Sequence, residues 1–155
     1  MDSPDPAATF RGRARILFAL LIGVVVLSAV LVLAADPDVP ATFWLIPLGS
    51  VALAVIVLAV VFVGLGTSAA WAIPAAIWVS VVIVVAGVIR SLIKLAEGQV
   101  DIPLEAIAGA IVLAARPSGY GLDTLAGDDR RTALFLIVGY VVASVVPYVP
   151  LSSLT

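Results

Sequence analysis

The chain has 155 residues, 63% hydrophobic and 12% charged, with a mean hydropathy of +1.27. Soluble domains carry about 25% charged residues, so too few polar side chains are present to cover a water-facing surface. Cysteine and histidine are both absent and the net charge is −2. This composition argues against disulfides, thiol redox chemistry, haem and the common zinc sites, and against nucleic acid as a partner. No cofactor or metal is expected.

Taken in order, residues 1–12 hold Asp2, Pro4, Asp5 and Pro6 without apolar periodicity, and read as a short flexible cytoplasmic tail. Arg11, Arg13 and Arg15 then precede an uncharged run at 16–35. Basic residues beside a first span hold that end in the cytoplasm, which predicts a helix over about 13–35. The rival reading, a signal peptide cleaved near Ala34 and Ala35, fits less well: the run exceeds a usual apolar core of about 7–15 residues, and more spans follow.

Asp36, Pro37, Asp38 and Pro40 predict an external turn. Residues 43–89 then contain no Asp, Glu, Lys or Arg. A single helix of that length would run roughly 70 Å, far beyond the ~30 Å hydrocarbon core of a bilayer. It must cross, turn and cross back. The turn signal is Gly64-Leu65-Gly66-Thr67-Ser68, giving helices at about 43–64 and 68–97. Phe43 and Trp44 open the first at headgroup level, with Pro47 expected in its first turn. In the second, Ser68, Ala72, Ala76 and Ser80 form a stripe of small residues that lets another helix approach closely. Trp71 and Trp78 share a face, with Pro74 between them as a possible bend.

Charge returns with Arg90, Lys94, Glu97 and Asp101. Asp101, Pro103 and Glu105 begin a short helix at about 102–115, roughly 21 Å long by the helical rise. It reads as a short span, a re-entrant half-helix or an interfacial helix. The positive-inside tendency favours a crossing, which puts six of the eight basic residues on the cytoplasmic side. Residues 116–129 form a polar loop. Pro117, Ser118, Gly119 and Gly121 supply turn chemistry, but no Walker spacing supports phosphate binding. Gly127, Asp128 and Asp129 cap a last helix at about 130–147. In it Gly139 and Ala143 form another small-residue pair, and Tyr140 and Ser144 are the polar groups near its midpoint.

The fold expected is an all-α, polytopic membrane bundle in one domain: four long transmembrane helices plus one short membrane-embedded helix. The arginine bias (seven Arg to one Lys) and the Ala/Val/Gly richness fit a GC-rich prokaryotic genome and a prokaryotic cell membrane. No nucleophile–base arrangement can be drawn without histidine, and no acids stand in adjacent long spans, so no enzyme is expected. The candidate charge cluster is Arg90, Lys94, Glu105 and Arg116. The candidate packing residues are Ser68, Ala72, Ala76, Ser80, Gly139 and Ala143. Beyond the lipid bilayer, the expected partner is a larger membrane protein to which this chain is an accessory or assembly subunit. The alternative is a small homo-oligomeric transporter or channel using the charge cluster.

Overall fold

A computed structural model describes residues 5–35, 41–100 and 102–148. Among these the chain is all-helical: α1 (Pro6–Ala35), α2 (Ala41–Gly66), α3 (Ala72–Ala96), α4 (Leu104–Ala114) and α5 (Gly127–Val145), with 3-10 turns at Leu122–Thr124 and Val146–Tyr148. Three helices, α1, α2 and α3, are long and apolar enough to cross a membrane. They mark the chain as a membrane protein. These are three of the four long spans expected; in α5, the fourth, Asp128, Asp129, Arg130 and Arg131 fill the start, and the apolar run after them is about 21 Å at ~1.5 Å per residue.

Several boundaries differ from the sequence reading, each for a physical reason. The helix begins at Pro6, inside the segment read as a tail, because Ala7, Phe10, Ala14, Phe18 and Leu21 already form one buried stripe at helical spacing. The two arginines between them at 11 and 13, and Arg15 beyond, lie off that stripe; Arg15 covers the ring of Phe62 at 4.8 Å, a cation–π contact. Because α2 starts at Ala41, Pro47 falls inside it rather than in its first turn.

The hairpin turn lies where the glycines predict it, but its chemistry is more specific. Ala69 N–H donates to Gly64 C=O at 3.1 Å, and Ser68 has φ +57°. This is a Schellman ending with serine in the left-handed position that usually takes glycine. Ser68 therefore stands outside α3, which starts at Ala72. Pro74 falls in the first turn of α3, where it costs little and does not bend the helix. Trp71 is the residue before α3 and lies over Gly64, whose missing side chain makes room for the indole. The two tryptophans do not share an environment, since Trp78 is exposed. A second Schellman ending closes α3, with Gly98 at φ +76° and Gln99 N–H donating to Lys94 C=O at 2.8 Å.

α4 folds back along α3. A Cβ on Gly87 would stand 2.7 Å from the Ala106 methyl, and one on Gly109 3.0 Å from the Ser80 carbonyl oxygen. The expected caps of the last two helices are absent: Pro103 and Ala126 occupy the N-cap positions without side-chain hydrogen bonds. Asp128 and Asp129 sit one turn in, where their charge favours the dipole. Asp101 and the turn at 36–40 lie outside the described residues.

The helices alternate in direction, and the bundle has two unlike ends. At the end holding the N-terminus, Phe10, Phe18, Leu58, Leu65, Ala72 and Ala133 are buried together in one core. Arg11, Arg13, Arg15, Arg116, Arg130 and Arg131 gather at that end. At the other end the helices part. Beyond Leu21, α1 has no buried residue.

Candidate functional site

Where the helices part, a chamber of about 800 Å³ opens between the outer half of α1, the first half of α2, the last half of α3 and the end of α5. The lining is overwhelmingly Val, Ala, Leu and Ile. Its walls follow from the sequence directly: aliphatic runs without polar punctuation give α2 and α3 apolar surfaces on every side, so any gap between them is apolar too.

Few polar groups interrupt this lining: Ser28, Ser50, Ser144, Tyr140, Arg90 and Glu105, with the Trp44 indole at the same end. Two of the serines are turned back to their own helices. Ser50 Oγ donates to Ile46 C=O at 3.0 Å, and Ser144 Oγ donates to Tyr140 C=O at 2.8 Å. These are the local bonds hydroxyls make in helices when no other partner competes.

The charged part of the wall is an ion pair between α3 and α4. Arg90 Nη1 lies 2.5 Å from Glu105 Oε1, with the two side chains 33% and 21% exposed. It forms because Gly87 and Ala106 let the two backbones close up one turn away. Of the four-member cluster, the structure therefore brings two together. Lys94 pairs instead with Glu97 at 3.2 Å on the outer surface. Arg116 follows the far end of α4, about 17 Å from its start at the helical rise, and is exposed.

The packing residues also divide. Ala72, Ala76 and Ser80 are fully buried in the core of α3, whereas Ser68 is exposed in the turn. Ala143 is buried, and Gly139 faces α2, where a Cβ would meet Val57 at 3.3 Å. The Ser80 hydroxyl has no hydrogen-bond partner. The Ser80 backbone carbonyl faces Gly109 of α4, and Ser80 is not part of the chamber's lining.

Two features escape the sequence reading. Gly87 and Gly109, the residues of closest α3–α4 approach, lie in no regular small-residue stripe with the others. Tyr140 was legible only as a polar group near the middle of α5. In the structure it is 7% exposed and lines the chamber, as Glu105 does. Among the described residues its hydroxyl makes no hydrogen bond. No group of three or more Asp or Glu able to hold a metal occurs among the described residues. The arrangement offers an apolar volume with one ion pair and one phenol. No protein family, curated protein or solved structure matches this chain.

Proposed function

We propose that the protein is a small, non-catalytic integral membrane protein that serves as an accessory or assembly subunit to a larger membrane partner. The observation that supports this most is the state of α1. Of its outer fourteen residues, after Leu21, none is fully buried; Ile22 and Val25 only lean against the core, and Leu27, Val30 and Leu31 are more than half exposed. Helices in lipid associate through close packing, because hydrophobicity alone gives little drive there. A long helix that leaves its own bundle has given up that packing, and a partner's helices restore it.

On this reading α1, α2, α3 and α5 are full spans and α4 is a short one, made tolerable by local thinning of the bilayer. The N-terminus lies in the cytoplasm of a prokaryotic cell, with the six arginines of the packed end beside it. The transport alternative has less support. The chamber's wall is apolar rather than a polar route for ions.

The test is affinity purification of the tagged protein from its native membrane in a mild detergent, with native mass and co-purifying chains recorded. A second, larger membrane chain in fixed ratio is the expected result. Replacing Leu27 and Leu31 on the outer half of α1 by Trp should strip that chain away and leave this one folded. A monodisperse homo-oligomer with no second chain would overturn the accessory reading.

A further inference from the structure

The chamber is a separate matter from the outer face of α1, and its chemistry is specific enough to name an occupant. Its size falls among small-molecule pockets, which run about 300–1,000 Å³ and combine an apolar lining with a few convergent polar groups. A partner helix is too large: at about 10 Å across and ~5.4 Å per turn, fewer than two turns would fill the space. The chamber lies among helices that cross the bilayer, so its natural occupants are lipids.

The polar groups decide which kind of lipid. Arg90 and Glu105 neutralise one another. A charged headgroup would therefore bring an uncompensated charge into an apolar space, which is costly. A neutral head carries no such penalty. The Tyr140 hydroxyl is a donor without a partner among the described residues, on a side chain 93% buried and lining the chamber. The Glu105 carboxylate, paired with Arg90, lines the same chamber, and a carboxylate accepts at several lone-pair sites. A head that accepts from Tyr140 and donates to Glu105 is a hydroxyl.

We propose that the chamber binds a neutral glyceride with a free hydroxyl. The hydroxyl is held between Tyr140 and Glu105, and an acyl chain lies along the Val and Ala walls between α1 and α2. The chamber is only partly enclosed, which leaves a second chain in the bilayer.

Trp44 lines the same chamber and serves as the reporter. The protein, with Trp71 and Trp78 replaced by Phe, is placed in phosphatidylcholine nanodiscs containing a few mole per cent of a dibrominated lipid. Dibrominated diacylglycerol should quench Trp44 severalfold more than equal amounts of dibrominated phosphatidylcholine or phosphatidylglycerol. The added substitution Tyr140→Phe, which keeps the ring and its packing, should bring the three to the same level. Equal quenching by all three lipids before that substitution would overturn the proposal. So would a preference for the anionic lipid, or a glyceride preference that survives Tyr140→Phe. The unsubstituted chain gives an independent check with a diazirine-bearing diacylglycerol. Its crosslinks should map to chamber-lining positions such as Ala29 and Val82 and fall in Tyr140→Phe; labelling confined to the exposed outer faces would overturn the proposal as well.

Discussion

At the residue scale, the Arg90–Glu105 pair joins two helices by charge at the wall of an apolar chamber. Taking one partner from a part-buried pair costs more than the pair itself contributes, because the remaining charge stays desolvated. Glu105→Gln should therefore lower stability in detergent by about 1–3 kcal/mol. Adding Arg90→Gln to it should recover part of that loss, a positive coupling in a double-mutant cycle. The measurement is thermal unfolding of the four proteins, and strictly additive losses would show that the two charges do not act together. Both residues could be picked from the sequence, since charges are scarce here. Their pairing to the exclusion of Lys94 and Arg116 could not, because it depends on which turn of α4 meets which turn of α3. Tyr140 is a similar case. A tyrosine in an apolar helix can face lipid, core or cavity, and only the neighbours decide.

At the element scale, the contact between α3 and α4 rests on absent side chains. A methyl added at Gly87 would stand 2.7 Å from the Ala106 methyl, well inside van der Waals contact. Gly87→Ala should cost about 1–3 kcal/mol through overpacking, and Ala106→Gly in the same chain should relieve most of it. Gly23 is the matched control: nothing lies within 4 Å of its added methyl, so Gly23→Ala should be neutral or stabilise α1 by up to about 1 kcal/mol. Heating in detergent followed by size exclusion reports all three, and equal behaviour of Gly87→Ala and Gly23→Ala would remove the close approach as a stability determinant. The hairpin of α2 and α3 was legible because a charge-free run of that length has to turn and glycines mark where. The early start of α1 was hidden by its arginines. They read as an interface, yet Ala7, Phe10 and Ala14 keep helical spacing straight through them.

For the whole molecule, the alternating helix directions fix a topology that can be checked without a partner. α5 runs away from the end where the six arginines gather, and on the proposed reading it crosses to the side opposite the N-terminus. With a cytoplasmic N-terminus, a phosphatase reporter fused after Thr155 should be active outside the cell and a fluorescent-protein reporter there dark. The reverse pattern would show that α4 does not cross. The all-helical membrane architecture was readable from hydropathy alone, because backbone groups in lipid must be satisfied within the helix. The chamber was not. It arises from the divergence of helices whose individual sequences are uniformly apolar, and no residue pattern within any one of them records the angle at which they part.

The unequal packing of α1 makes it a cantilever. Residues 7–21 are clamped in the core, and the remaining length, which only leans on it through Ile22 and Val25 and borders the chamber, has no fully buried residue over about 21 Å at the helical rise. A rigid rod of that length moves its tip by roughly 2 Å for each 5° of tilt, a figure that follows from the same rise. Whatever presses on the exposed tip therefore sets how wide the adjacent cleft stands. Occupancy of the one surface and access to the other are then mechanically linked through a single helix, with the pivot just past Leu21.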